Sequence, residues 1–587
     1  MIKKYIVIFL LIVLAFYVIS VENVKIILAG IAIFLIGMHF MEDGFKLFSG
    51  GTLEKVLEKF TSTKLKSIIT GFISTSVVQS SSLISVIVIS FLTVELITLV
   101  QGMSIIFGAN LGTTTTAWIV SSFGLKIKIS VYAMPMIIFG VIFRFSSKNK
   151  YKGLGNILLG LGFIFLGISY MKEGFETLKE SLDLASYSIG GLSGILVYII
   201  IGAIATVVIQ SSSATMAIII TALSGGNIIY IDAIALAIGA NVGTTVTAAI
   251  GALTSNENGK RLAFGHFVFN IITTLVAVIL INILIDIVDI LSPLLSIRDD
   301  NYAMKLALFH TIFNLLGVII LYPFIQKIVD LSKKVIIKKV KKSSKPIFLD
   351  ESNIMIPYNA MVSIQKEVIH LYDNAQKAIL HAMSIHTSKL NQESDLKKVL
   401  ANPAKIDTNL DEIYQNDLKF LYSEIIDFAL NSQKTMNQNQ MYYVSQLKLS
   451  SNIIIKILKD TRDIQKNMNI YTKNKNKYIQ EEYKNLKKEL ALNILRINSL
   501  KDKNLDDIET STQIEQFKDE IEKQDILFNK KIDELIRNDK ITPKMGTSLI
   551  NDTASILNIC RNLYRMANTL FINDEKLRFL GETEEII

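Results

Sequence analysis

From Met1 to about Val329 the chain is a succession of long apolar runs broken by short polar loops, and from about Lys333 that pattern stops. A helix needs about 20 mostly apolar residues to cross a bilayer. On that measure the pattern predicts spans at about 5–20, 24–42, 100–121, 127–145, 154–172, 231–253, 263–286 and 304–329. Met1–Ser20 has the outline of a signal peptide, but no small-x-small cleavage pattern precedes Glu22, so an uncleaved first span is expected. Two stretches, 66–94 and 195–224, differ from the rest. Each carries a polar Gln-Ser-Ser-Ser at its centre, Gln79–Ser82 and Gln210–Ser213, between apolar arms. Each arm runs to about 11–13 residues, which as a helix extends about 18 Å, close to half the bilayer. The expectation is a pair of re-entrant hairpins with tips near the midplane. The blander alternative is a plain spanning helix with Ser on one face.

Each tip is followed at the same distance by a second duplicated string, Gly108-Ala-Asn-Leu-Gly-Thr-Thr-Thr-Thr-Ala117 and Gly239-Ala-Asn-Val-Gly-Thr-Thr-Val-Thr-Ala248. Upstream, Leu35-Ile-Gly-Met-His-Phe-Met-Glu-Asp-Gly-Phe-Lys46 is echoed by Leu166-Gly-Ile-Ser-Tyr-Met-Lys-Glu-Gly-Phe-Glu176. Each repeat then holds three crossings and one hairpin. An odd number of crossings inverts the second copy, which predicts an inverted-repeat transporter with its site where the tips meet. Gly108, Gly112, Gly239 and Gly243 recur in register, and we expect them to unwind a ligand-facing segment. A smaller echo, His266-Phe-Val-Phe-Asn270 and His310-Thr-Ile-Phe-Asn314, puts costly polar groups at membrane depth. Helix-packing hydrogen bonds are the expected role for them.

Charge orients the layout. Lys46, Lys55, Lys59, Lys64 and Lys66 share one loop, Arg144, Lys148, Lys150 and Lys152 another, and Lys260-Arg261 a third. The alternating loops are acidic, with Glu173, Glu176, Glu180 and Asp183, then Asp286, Asp289, Asp299 and Asp300. Positive loops stay inside, so eight crossings place both termini in the cytoplasm of a multi-pass plasma (inner) membrane protein. The net charge of +9 sits largely in these loops and in Lys333–Lys345. It is no nucleic-acid footprint, and the partner it implies is the lipid bilayer. One cysteine, Cys560, excludes an intrachain disulfide and reads as a small buried apolar residue. Six scattered histidines give no metal signature.

Between about Ile68 and Ile250 the apolar runs carry almost no formal charge, and Glu95 and Asp232 lie near predicted helix ends. A proton pump ordinarily needs titratable groups in its spans. Here the polar set is Gln79, Gln210, Asn110, Asn241 and many Ser and Thr. Neutral oxygens suit a hard monovalent cation such as Na+. Hydroxyls, amides and half-helix N–H groups suit an anion. The residues therefore predict an anion site coupled to Na+ and built without protein charge. No nucleophile–base pair, metal cluster or phosphate loop supports an enzyme, and no catalytic residue is assigned.

At these two pairs of strings the chain resembles the sodium-dependent phosphate cotransporter family, the type II sodium/phosphate symporters and their bacterial relatives. The resemblance covers about residues 24–329. It implies inorganic phosphate as cargo and Na+ as coupling ion, with no cofactor. It carries Gln79, Ser80, Ser81, Gln210, Ser211 and Ser212 over as substrate ligands, with Asn110 and Asn241 lining the same cavity. Thr75 and Thr206, one helical turn before each Gln, join Ser82, Ser213, Thr113 and Thr244 as the expected Na+ set. The residues alone leave phosphate, sulfate or another oxyanion open.

After Ile354 the spacing predicts amphipathic helices at about 355–390, 407–433, 436–465, 478–500, 510–538 and 542–573, packed as two three-helix bundles. This part resembles the PhoU family, which implies a regulatory domain. Glu367 with Asp373, and Asp411 with Asp417, match that family's metal-binding carboxylates weakly and read as solvated helix faces, so no metal is assigned. The expected fold is an all-α polytopic membrane protein. Its segments are a first span (1–23), repeat 1 (24–153), repeat 2 (154–287), a final span (288–332), a basic linker (333–353) and a PhoU-like helical domain (354–587). A homodimer or a cytoplasmic regulatory partner is compatible with that plan. Sodium-coupled symport is the leading function. Phosphate export, or phosphate sensing through the helical domain, is the alternative.

Overall fold

A computed structural model describes residues 20–49, 56–57, 60–124, 130–181, 188–253, 255–337, 345–354, 356–387, 390, 392–401, 408–502 and 507–571. The expected first span, the loop positions Lys55, Lys59 and Asp183, part of the basic linker and the break at Asn402-Pro403 lie outside the described residues. The chain divides into two compact units, Met1–Lys338 and Lys339–Ile587. Every regular element among the described residues is helical.

In the first unit, helix α1 (Glu22–Ser49) is followed by α2 (Lys64–Val78), α3 (Ser81–Thr93), α4 (Leu99–Gly112) and the short α5 (Thr114–Ile119). Then come α6 (Ser130–Arg144), α7 (Asn149–Ser181), α8 (Gly191–Ile209), α9 (Ser212–Ser224), α10 (Tyr230–Ala252), α11 (Glu257–Ile279), α12 (Ile281–Leu294), α13 (Tyr302–Leu321) and α14 (Ile325–Val335). Six stretches are long and apolar enough to cross a membrane: Glu22–Phe48, Asn149–Lys179, Gly191–Ile209, Tyr230–Ala252, Glu257–Ile279 and Tyr302–Val335. Apolar side chains such as Ile69, Ile73, Ile200 and Ile204 remain exposed, as lipid-facing surface requires. The unit is a multi-pass membrane protein.

Helices α1 and α7 pack antiparallel through a glycine ladder. Gly30 lies against Gly167, Gly37 against Gly160 and Gly44 against Gly153, with paired positions running in opposite directions. A Cβ at Gly37 would stand 2.7 Å from the Gly160 carbonyl. The spacing of seven residues keeps the small positions on one helix face. These helices carry the echoed sequences of the two repeats, so their antiparallel packing is what inversion demands.

Both Gln-Ser-Ser-Ser segments are helix breaks. Helix α2 ends with Gln79 at φ 59°, and α8 ends with Gln210 at φ 60°. A following serine restarts the chain as an N-cap: Ser80 Oγ accepts the Leu83 N–H, and Ser211 Oγ accepts the Ala214 N–H. Each segment is therefore helix, break, helix, and a single unbroken helix is excluded. The first arms, at 15 and 19 residues, are longer than expected, while the second arms hold 13 residues each. At 19 residues, Gly191–Ile209 could cross a bilayer by itself.

The glycine strings correct the sequence reading. Helix α10 runs unbroken through Gly239 and Gly243, and in the first repeat the only break is at Thr113, between α4 and α5. The glycines serve close approach instead. A Cβ at Gly108 would collide with the Ile68 carbonyl, and one at Gly239 with the Ile199 carbonyl. They let α4 lie on α2 and α10 lie on α8. The two similar strings record a shared close approach, because each repeat seats the helix before its Gln on its own scaffold helix.

The second unit matches its expected helices closely. It contains α15 (Pro357–Ala382), α16 (Lys419–Ser432), α17 (Gln438–Tyr471), α18 (Lys477–Asp502), α19 (Asp507–Arg537) and α20 (Pro543–Leu570). The first three pack on one another, α18 and α19 pack on α20, and α17 against α20 joins the two sets. Buried Glu367 accepts the backbone N–H groups of Ile347 and Phe348 at 2.8 and 2.7 Å and sits 2.7 Å from His370 Nδ1. Asp373 pairs with Lys501 and Asp411 with Arg462. Among the described residues no group of three or more His, Cys, Asp or Glu gathers.

Candidate substrate site at the paired helix breaks

The left-handed backbone at Gln79 and Gln210 is unusual for a residue with a Cβ and costs about 1–2 kcal/mol. Each tip is held by one backbone bond, from Gln79 N to the Thr75 carbonyl and from Gln210 N to the Thr206 carbonyl, both 2.7 Å. The break exposes the first N–H groups of α3 and α9 beside the Gln and Ser side chains, which is anion-binding chemistry without a formal charge.

The first tip docks on the following scaffold. Gln79 Nε2 donates to Thr115 Oγ1 at 2.8 Å and to the Ser76 carbonyl. Thr116 Oγ1 lies 2.7 Å from Gln79 Oε1 and 3.2 Å from Ser213 Oγ in the other repeat. A hydroxyl has one proton, and the Gln carbonyl can only accept, so the Ser213 hydroxyl donates back to Thr116. A single side chain thus joins the two Gln-Ser-Ser-Ser segments. In the second tip it is the Gln that is not docked. Gln210 is exposed, and its amide meets no partner among the described residues. Ser82 is exposed too and lies 3.1 Å from Ser80 Oγ.

Of the residues expected to bind cation, Thr75 is fully buried and its hydroxyl has no hydrogen-bond partner among the described residues; the neighbouring Ser76 hydroxyl has none there either. Thr206 is occupied by Thr215 at 3.1 Å. Thr113 and Thr244 donate to the carbonyls of Asn110 and Asn241, and Thr244 also accepts from Asn270, which leaves it one lone pair.

Asn110 and Asn241 are engaged by side chains of α11 and α13. Asn110 Oδ1 is 3.0 Å from His266 Nε2, and its amide donates to Asn270 Oδ1 at 3.4 Å. Asn241 Oδ1 is 3.2 Å from His310 Nε2, and its amide donates to Asn314 Oδ1 at 2.8 Å. Asn270 also donates to Thr244 Oγ1 at 3.2 Å, which links the two sets. These side chains are consumed in helix packing, as expected for the histidines, and no hydrogen bond among the described residues joins them to the tips. A buried amide satisfies its donors and acceptors with the nearest polar neighbours, and those are on α11 and α13. Sequence reasoning missed Thr115 and Thr116. Both belong to the four consecutive threonines after Gly112, but which of them faces Gln79 depends on the turn at Thr113.

A cavity of about 390 Å³ opens between α10 and α11, lined by Thr245, Val246, Ala249, Lys260 and Phe264 among others. None of the Gln-Ser-Ser-Ser residues lines it. At the repeat-related place in the first half stands Trp118, whose Nε1 donates to Thr311 Oγ1 at 2.9 Å.

Comparison with known proteins places these motifs in context. Residues 33–173 match the family model described as Na+/Pi-cotransporter. A protein of Salmonella typhimurium named "Putative inorganic phosphate export protein YjbB" is 26% identical over 70% of this chain and 75% of its own length. Its Escherichia coli K12 namesake is 24% identical over the same shares. "Uncharacterized protein YqeW" of Bacillus subtilis is 28% identical over 50% of this chain and 92% of its own length. No solved structure matches the chain. The helix breaks with Gln-Ser-Ser-Ser tips, the family match over residues 33–173 and the names of the enterobacterial relatives agree: the membrane unit is similar to the sodium/phosphate cotransporter family.

Proposed function

We propose that this chain carries inorganic phosphate across the plasma (inner) membrane coupled to Na+, through a site formed by Gln79, Ser80, Ser81, Gln210, Ser211 and Ser212. The observation that carries this reading is the bridge from Gln79 through Thr116 to Ser213, which brings the two repeats' motifs to one place. Phosphate would take N–H groups at the starts of α3 and α9 and donors from the Gln and Ser side chains. Moderate neutral donors permit release, which a transporter needs as much as capture. The buried, unpartnered Thr75 hydroxyl supports Na+ beside the first tip, since a hard cation accepts oxygen lone pairs. Ser82, Ser213, Thr113, Thr206 and Thr244 complete the proposed cation set. The loop charges support cytoplasmic termini, with the 354–587 helices as a PhoU-like regulatory domain.

The names of the enterobacterial relatives favour a second reading in which net flow in the cell is outward. A coupled carrier is reversible, and the gradients set its direction. The test is uptake of radiolabelled phosphate into proteoliposomes under an inward Na+ gradient or an inward K+ gradient, with a Gln79→Ala, Gln210→Ala variant alongside. Na+-dependent uptake lost in the variant is expected. Equal uptake in Na+ and K+ would refute coupling, and no transport by correctly inserted protein would favour a phosphate sensor.

A further inference from the structure

The two repeats are not in the same state, and the difference has a pattern. In the tied set, Gln79, Thr116 and Ser213 are 5%, 4% and 6% exposed. Their repeat-related counterparts are Gln210, Thr247 and Ser82. Gln210 and Ser82 are both exposed, and Thr247 is half-buried. Thr247 spends its proton on the Thr244 carbonyl of its own helix, at 2.8 Å. Each tip therefore contributes one residue docked on a scaffold threonine and one that is not, and the two undocked residues belong to the one relay that has not formed.

We infer that Thr116 and Thr247 are the positioning residues of the transport cycle: the Gln79–Thr116–Ser213 relay breaks as its counterpart, Gln210–Thr247–Ser82, forms. This inference rests on the proposed transport reading and assigns a task to two threonines outside its ligand set. Inverted repeats can exchange conformations across a fixed site. The relay shows what is exchanged, one hydroxyl in each scaffold helix that holds its own repeat's Gln and the other repeat's Ser. The two states are unequal, because Gln79 also bonds Thr115, and the corresponding residue in the second repeat is Val246.

Cysteine pairs test the exchange in the full chain with Cys560→Ala, which removes the single native thiol. Thr116 and Ser213 carry hydroxyls 3.2 Å apart, so thiols there lie within reach of a bond of about 2.05 Å. Disulfide formation is read by loss of maleimide labelling, independently of transport. Thr116→Cys with Ser213→Cys is expected to cross-link on oxidation. Ser82→Cys with Thr247→Cys is expected to cross-link as well, with the opposite response to Na+ plus phosphate. Each disulfide should abolish uptake, and reductant should restore it. Adding Val246→Thr should raise the yield of the second pair. Thr116→Val and Thr247→Val should each slow uptake about tenfold, the scale of one lost hydrogen bond, and the Ser variants should retain it. The inference is overturned if either pair fails to cross-link in every condition, or if uptake persists through either disulfide. Absence of phosphate uptake in the Cys560→Ala parent would instead overturn the transport reading, while the cross-links still report on the exchange.

Discussion

Gly112 links helix packing to the cation site, and replacing it with alanine tests both. It is the last residue of α4. A Cβ there would stand 2.7 Å from the Phe72 carbonyl oxygen, 2.7 Å from Thr75 Cβ and 3.2 Å from Ser76 N, all on α2. None of these atoms can leave by a rotamer change. Ordinary contact begins near 3.4 Å, so α2 must retreat by about 0.7 Å, at a strain of about 1–3 kcal/mol. Helix propensity returns at most about 1 kcal/mol. The net expectation for Gly112→Ala is destabilisation of about 1–2 kcal/mol. Thr75 moves with α2, and a metal site tolerates only about 0.2 Å. The proposed Na+ site should therefore weaken about tenfold, the equivalent of about 1.4 kcal/mol. The assays are melting in detergent and the Na+ activation curve of phosphate uptake. Gly251→Ala is the control. Nothing lies within 4 Å of its added methyl, so it should gain up to about 1 kcal/mol and leave the Na+ curve unchanged. Equal melting shifts in the two variants would refute the packing argument. A lowered melting point with an unchanged Na+ curve would refute the assignment of Thr75.

Two further expectations concern buried polar groups. Asn270→Leu removes the side chain that joins the two His–Asn sets, so stability should fall by about 1–2 kcal/mol, and a double-mutant cycle with Thr244→Val should show coupling of about 0.6 kcal/mol. Zero coupling would mean that the link carries no energy. In the second unit, burial lowers the Lys487 amine from 10.5 to about 8, helped by the charge of Lys473. Between those values the unfolded chain binds more protons, so stability rises as pH rises from about 8 to 10.5, and the penalty is fully present below about 8. Lys487→Met should stabilise this unit at pH 7 by up to about 3 kcal/mol and flatten that rise, as followed by the pH dependence of its unfolding. A variant no more stable than the parent would show that water reaches the amine.

Much of this protein is legible in one dimension. The change of pattern near Lys333 separates a lipid-facing half from an amphipathic one, because a helix in lipid is apolar all round and a bundle helix on one stripe only. The helices of the second unit follow from that stripe, and the duplicated strings announce the repeats and the two breaks. What the strings could not say is the use of each residue. Gly239 in an unwound segment and Gly239 under a neighbouring carbonyl are the same letter, and only the approach of α8 decides between them. Asn110 and Asn241 read as site residues in the sequence, and only the tertiary structure brings histidines and a second pair of asparagines on α11 and α13 to their amides. The pairing of Thr116 with Ser213 joins positions 97 residues apart. The asymmetry of the tips is further still from the sequence. Two near-identical motifs have near-identical local preferences, so which Gln is docked and which is free is set by how the whole helical scaffold closes around them.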